Sequence, residues 1–388
     1  MKIRYTLYFL STVALISALA VVVLLLASGY RFDFKTGTIR GTGIVSVSST
    51  PDGALVYVNG TPQDATNTSI INLDPGTYSM RIEKEGFSPW SMDVKVKAEL
   101  VTKVDALLIP LYPTLQPLTF TGVTNPTLSP NGQKIVYTVT QGKNAGVWLI
   151  NLEEGPFNIA RKPELIVAND ETINYQDATY AWSPTGEEVL ISIPTGEETT
   201  TYQLANLATN TVVDVKEVET VYSTWDDLAL SQNTELLATL SEEVVGEING
   251  LNDLAWSPSG DYILNSNQND DNTDYFVYTV KRESSQNNQP TPTITIPSDE
   301  AIVSIPTSTP HTVQWYPDSR HLVITSNKDD NTQVVEIVEI TGTNRTQIFS
   351  GLVKDLQSFP NLNGSKIIIL TRFNPESEGY NLYSVNLR

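Results

Sequence analysis

The side chains able to do chemistry are few and scattered. Two histidines, His311 and His321, flank one Trp-Tyr-Pro-Asp turn at residues 315–318, where they read as ordinary hairpin residues. Serine is common, but none sits in a Gly-x-Ser-x-Gly elbow, and neither a phosphate-cradling glycine loop nor a His-Glu-x-x-His zinc pair occurs. Carboxylates are abundant, 44 Asp and Glu against 24 Lys and Arg, so a glycosidase-type pair passes by count alone, yet no spacing singles one out. With no cysteine, disulfides and thiolate metal sites are excluded. Two oxygen-rich loops, 266–273 and 326–332, offer carboxylate and amide oxygens of the kind calcium takes. Neither has the spacing of a calcium loop, and Asn and Asp also make good turns. The sequence thus names no catalytic, cofactor-binding or metal residue, and the expectation is a protein that is not an enzyme and carries no cofactor.

What those residues hang on is a repeat. The phrases Leu128-Ser-Pro-Asn-Gly132, Trp182-Ser-Pro-Thr-Gly186, Trp256-Ser-Pro-Ser-Gly260 and Trp315-Tyr-Pro-Asp-Ser319 recur at irregular intervals. Proline pre-sets φ at the second position of a turn and glycine suits the fourth, so each phrase is a hairpin corner. A short strand ends at each corner, and an apolar run follows: 134–139, 188–193, 262–265 and 321–325. The near-continuous Val/Ile/Leu content of these runs implies strands covered on both faces. A third strand follows at 147–152, 201–205, 275–280 and 334–340, then a turn and a fourth. Strand, corner, strand, loop, strand, turn, strand is one propeller blade.

A degenerate fifth copy starts at Gln357 and ends one strand short, after Asn386. The missing outer strand is expected from the segment 114–120 ahead of the first blade, since such closure removes two exposed sheet edges. A further corner-like stretch, Leu228 to Asn233, lacks proline and is also compatible with a helix running to about Ile248. Residues 111–388, at roughly 45 residues per blade, leave room for about six blades, with five or seven remaining open. The Trp-Ser-Pro-x-Gly phrase resembles the corners of TolB-like, WD40-related β-propellers, a family that also supplies the noncatalytic part of dipeptidyl-peptidase-type enzymes. The motif reports a turn, so the resemblance implies fold and carries no peptidase activity over to this chain.

Residues 43–110 read as a separate all-β module of short strands, with Asn59-Gly60 and Asp74-Pro-Gly76 as turns. Ser48-Ser-Thr-Pro-Asp-Gly-Ala-Leu-Val-Tyr-Val-Asn-Gly60, followed by Asn72-Leu-Asp-Pro-Gly-Thr-Tyr78 and Ile82 to Trp90, resembles the PEGA domain. Pro51, Gly53 and Ala54 match the tetrad, with Asp52 in place of Glu. The resemblance implies a β-sandwich accessory module of bacterial envelope proteins.

Residues 1–30 form a cytoplasmic tip and membrane anchor, and 31–42 a juxtamembrane linker. Leu7 to Ser28 are 22 uncharged residues, and about 20 suffice to cross a bilayer. Ala27-Ser-Gly29 offers a rival reading as a signal-peptidase site, but the apolar stretch exceeds the 7 to 15 residues of a signal core, which favours a retained anchor. Residues 1–40 hold five Lys/Arg and one Asp, a net +4, leaving −24 of the total −20 for the rest. An acidic body repels phosphate, which argues against nucleic acid and anionic lipid surfaces as partners. The expectation is therefore an all-β, single-pass plasma-membrane protein with its bulk extracytoplasmic, at the cell surface or in a periplasm. Its propeller is expected to serve as a binding or scaffolding platform for an envelope protein or a cell-surface glycan. The alternative is a propeller-fold enzyme acting on cell-surface glycans, which convergent carboxylates or arginines in the central channel would reveal.

Overall fold

The computed structural model describes residues 2–27, 30–33, 38–153, 162–196, 199–237, 254–280, 301–329, 331–373 and 379–388. The chain divides into two compact units, Met1–Tyr112 and Pro113–Arg388.

The first unit opens with helix α1 (Lys2–Ala27) and a two-stranded ribbon, β1 (Tyr30–Asp33) and β2 (Thr38–Gly41). Within α1 the described side chains are those of residues 8–24, and among the described residues no helix is long and apolar enough to cross a membrane. Seven strands follow: β3 (Gly43–Thr50), β4 (Leu55–Val58), β5 (Thr61–Ala65), β6 (Thr68–Leu73), β7 (Gly76–Glu83), β8 (Trp90–Val96) and β9 (Val101–Leu107). They form two sheets, β6-β3-β9 and β5-β4-β7-β8. Strand β3 alternates buried Val45 and Val47 with half-buried Ile44 and Ser46, the period-two pattern of a sheet with one covered face. Its inward residues meet Val56, Met80, Ile82, Trp90, Val94 and Val104 in one core, so the sheets pack as a sandwich.

Two of these strands, β5 and β6, lie in the stretch 61–73, to which the sequence pattern assigns no strand. Strand β5 is exposed throughout and contains Pro62, which a sheet tolerates at its edge, so it shows neither periodicity nor apolar content. Strand β9 runs parallel to β3, pairing Ile44 with Val101 and Thr50 with Leu107. The chain thus enters this sandwich at Gly43 and leaves it after Leu107 at the opposite end. Six strand steps separate the two ends, about 20 Å.

The second unit begins with β10 (Thr114–Pro117). The first blade is β11 (Thr124–Leu128), β12 (Lys134–Val139), β13 (Gly146–Asn151) and β14 (Glu164–Ala168); the second is β15 (Thr179–Trp182), β16 (Glu188–Pro194), β17 (Thr200–Asn206) and β18 (Thr211–Val215). Helix α2 (Val218–Leu237) follows. The third blade is β19 (Ala255–Trp256), β20 (Tyr262–Gln268), β21 (Asn272–Thr279) and β22 (Val303–Pro306). The fourth is β23 (His311–Trp315), β24 (His321–Asp329), β25 (Thr332–Glu339) and β26 (Thr346–Gly351). Last come β27 (Ser358–Pro360), β28 (Lys366–Thr371) and β29 (Asn381–Asn386), and β10 completes this fifth blade by pairing antiparallel with β29 from Thr114↔Asn386 to Pro117↔Tyr383. The outer strand of the last blade therefore comes from the start of the unit, as the missing strand required.

Five four-stranded blades are present among the described residues, against the six expected. The discrepancy lies at 216–254, where the proline-free stretch Leu228–Asn233 falls inside α2. Without proline or a Gly-type corner, its Leu, Ala, Ser and Gln residues extend a helix readily. Helix α2 starts ten residues before Leu228; the stretch from 238 to Ile248 lies outside the described residues. The unit is thus not purely β. Trp225 anchors α2, buried to 6 % exposure, with its Nε1 donating to Glu188 Oε2 at 3.3 Å.

The corners form as their residues dictate. In each, the residue at the fourth position donates its N–H to the carbonyl of the first, as from Gly132 to Ser129 and from Gly186 to Ser183, both at 2.9 Å. The serine hydroxyl accepts the N–H that opens the next strand: Lys134 to Ser129 Oγ at 2.9 Å, Glu188 to Ser183 Oγ at 3.0 Å, Tyr262 to Ser257 Oγ at 3.1 Å. The corner tryptophans join neighbouring blades at their inner strands. Trp182 Nε1 donates to Thr127 O at 3.2 Å and Trp315 Nε1 to Ala255 O at 2.8 Å, each reaching the first strand of the preceding blade.

Candidate functional site

Strand β12 shows how the propeller both packs and leaves a cleft. Its side chains alternate, with Val136 turned to the second blade and Ile135, Tyr137 and Val139 to the fifth. The register places Tyr137 directly across from Trp148 and Ile135 across from Ile150. An aromatic cross-strand pair thus occupies the face toward the closure ribbon. That ribbon continues past β10 as 118–123, pinned to β29. Leu118 N–H donates to Leu382 O at 2.8 Å, and Thr119 Oγ1 accepts the Leu382 N–H at 2.9 Å while donating to Asn381 Oδ1 at 3.2 Å. Gly122 N–H also reaches Asn381 Oδ1, and Val123 N–H reaches Tyr380 O at 2.7 Å.

Between ribbon and blade lies an open cleft of about 470 Å³. Its floor is Tyr137, Trp148 and Ile150, its walls are Leu118 to Thr121 and Pro163, and Lys162 supplies an ammonium. Phe120 stands at its mouth, 78 % exposed. Trp148 is fixed by donation from Nε1 to Asn144 O at 2.9 Å, and burial pushes the Tyr137 hydroxyl well above its ordinary pKa, so it stays protonated. Chemically the cleft offers aromatic faces, hydroxyls and one cation, a lining suited to holding an apolar or ring-shaped group. None of these residues stands out in the sequence. The signal is the Tyr137–Trp148 pairing, which appears only once the register of β12 and β13 is known.

The residues weighed for chemistry are placed otherwise. His311 Nδ1 lies 2.7 Å from Thr309 O; a carbonyl only accepts, so Nδ1 carries the proton and Nε2 faces the Tyr275 hydroxyl at 2.9 Å. His321 is buried, its Nδ1 2.7 Å from Asp318 Oδ2 beneath the Tyr316 ring. Both rings brace the fourth blade, and they do not converge on a common point. In the first oxygen-rich loop, Asn269 Oδ1 accepts from the N–H groups of Asp271 and Asn272 and Asn269 Nδ2 donates to Asp274, which makes an Asx turn. In the second, Asp329 Oδ1 accepts from Asn331 N–H at 3.1 Å. Among the described residues no three His, Asp or Glu side chains gather as metal ligands. The innermost strands β11, β15, β19, β23 and β27 present Thr, Asn, Gln, Ser and His as polar residues, with neither carboxylate nor arginine.

The PEGA domain family matches residues 42–110. No curated protein matches the chain. Among solved structures it is similar to TolB from Acinetobacter baumannii at 12 % identity, covering 88 % of this chain and 63 % of that one, with a TM-score of 0.24. A putative TolB from Agrobacterium tumefaciens gives 8 % identity, 80 % and 90 % coverage and a TM-score of 0.22. The β-propeller domain of the Trilobed protease from Pyrococcus furiosus gives 13 %, 70 % of each chain and 0.23. Likeness at these scores carries no argument about function, and the propeller rests on the sheet order and register described above.

Proposed function

We propose that this chain is a membrane-anchored, extracytoplasmic binding and scaffolding protein of the cell envelope, whose propeller holds a protein or glycan ligand without turnover. The observation that carries the reading is the aromatic cleft between the closure ribbon and the first blade. Trp148 and Phe120 present aromatic surface, with Tyr137 buried at the floor, and Lys162 and Thr121 add polar groups at the side, a lining for contact. The anchor rests on the 22 uncharged residues Leu7 to Ser28, which α1 carries in helical form up to Ala27, against the roughly 20 needed to span a bilayer. Because the chain enters and leaves the PEGA-like sandwich at opposite ends, that module acts as a spacer of about 20 Å.

The test has two arms. The full chain should fractionate with membranes, resist salt extraction and keep an N-terminal tag; a soluble product starting near Tyr30 removes the anchor. Residues 41–388 should bind members of an envelope glycan or peptide library, with binding lost in Trp148→Ala and Phe120→Ala variants that melt normally. Hydrolysis of those libraries, abolished by changing a single carboxylate, overturns the binding reading in favour of an enzyme.

A further inference from the structure

The acidity of the chain is confined to one unit. Residues 1–112 carry 10 Lys and Arg against 9 Asp and Glu, leaving 14 against 35 for residues 113–388. Within the first unit, the sandwich end at which the chain arrives from α1 is distinctive. Tyr30 hydrogen-bonds through its hydroxyl to Glu99, and Arg31 Nε donates to Asn72 Oδ1 at 2.8 Å. Glu99 N–H reaches Thr42 O at 3.0 Å, and Ile44 N–H reaches Leu100 O at 3.1 Å. The β8–β9 turn and the end of β6 are thereby clasped to the chain just after the helix. Three Cα steps separate Ala27 from Tyr30, about 10 Å at most.

At this same end Ile71, Leu100 and Val101 are 56, 53 and 57 % exposed. Val101 lies beside Ile44 in the register, with Lys103 two pairs further on, and exposed Arg31 and Lys97 stand nearby. Three half-bare aliphatic residues, with Arg31, Lys97 and Lys103 around them against Asp74 and Glu99, suit a lipid interface better than water. Glu99, the acidic residue of the turn, is engaged by Tyr30.

Resting on the anchor proposed above, we infer that this end of the PEGA-like sandwich is a lipid-binding surface: Ile71, Leu100 and Val101 enter the headgroup layer of the leaflet that α1 leaves, while Arg31, Lys97 and Lys103 engage anionic headgroups. The headgroup layer is about 5–8 Å deep on each side of the hydrocarbon, within reach of a surface clasped this close to the helix end. The docked module holds its opposite end, from which the chain continues, away from the bilayer.

The absence of cysteine makes the test direct. The full chain, carrying single cysteines labelled with an environment-sensitive fluorophore, is reconstituted in vesicles containing phosphatidylglycerol. Leu100→Cys and Ile71→Cys probes should shift to the blue and be quenched by headgroup-attached spin labels, whereas a Glu85→Cys probe at the far end stays aqueous. Lys97→Gln and Lys103→Gln should each lower the seated fraction relative to the free one about fivefold, the contribution of one cation at an anionic surface. A Val13→Cys probe reports the anchor separately. If it is lipid-protected while the Leu100 and Ile71 probes are aqueous, the docking surface is refuted and the anchor stands; if it too is aqueous, the anchor itself fails. Equal seating in purely zwitterionic vesicles overturns the anionic recognition.

Discussion

Replacing Thr119 by valine tests whether the closure ribbon holds the propeller together. Thr119 is 3 % exposed, and its hydroxyl both accepts the Leu382 N–H at 2.9 Å and donates to Asn381 Oδ1 at 3.2 Å. Valine keeps the size and branching, so the change removes chemistry with little change in volume. The Leu382 N–H, on a fully buried residue, then loses its hydroxyl acceptor. A buried donor left unpaired costs about 1–3 kcal/mol. At about 2–4 °C per kcal/mol for a large domain, the melting temperature should fall by about 2 to 12 °C. Thr121→Val, two residues on and exposed, is the control and should change little. Scanning calorimetry or near-ultraviolet circular dichroism on the full chain reads the shift, and deletion of 113–117, which removes β10 outright, should exceed it. Equal melts for the Thr119 and Thr121 variants would refute the closure argument.

The remaining predictions concern the corners and one loop. Trp315→Phe removes the Nε1–H donated to Ala255 O at 2.8 Å and should lower stability by about 1 kcal/mol, read as a lower urea midpoint with an unchanged slope. Gly364→Ala should destabilise more than Gly142→Ala although both glycines have positive φ, because a Cβ at 364 would lie 2.7 Å from the Tyr316 hydroxyl whereas 142 faces open space; denaturant melts that rank them the other way would show that backbone conformation alone decides. The Thr172 hydroxyl, then the Thr172 and Ile173 N–H groups, hold the Asp170 carboxyl below its ordinary value of 3.8. A depressed folded-state value stabilises the loop above the ordinary value, and that stabilisation is lost as pH falls through the folded one. Hydrogen exchange at the Ile173 amide should therefore accelerate on acidification below about pH 4, beyond its intrinsic rate, and Asp170→Ala should remove that added dependence.

What the sequence determined by itself is local. Proline and glycine at fixed offsets set the corners because φ is a property of the residue, and the serine that follows the large apolar residue finds its hydrogen-bond partner five positions on. The apolar runs after each corner read as buried strands, and the shortage of one strand at the C-terminus implied the closure by β10 that the register shows. The letters of residues 48–60 sufficed to place the PEGA-like module. Tertiary structure decided what depends on neighbours. Strand β5 exists because β4 offers it an edge, and its polar sequence carries no trace of that pairing. The parallel β3–β9 pair, which sends the chain out of the sandwich at the end opposite its start, joins residues more than fifty positions apart and is invisible to any local pattern. The stretch at Leu228–Asn233 was compatible with corner or helix, and the burial of Trp225 against Glu188 belongs to the helical outcome. The cleft was illegible for the same reason: Phe120, Tyr137, Trp148 and Lys162 are unremarkable letters until the register of β12 and β13 and the seam between the first and fifth blades bring them to one hollow.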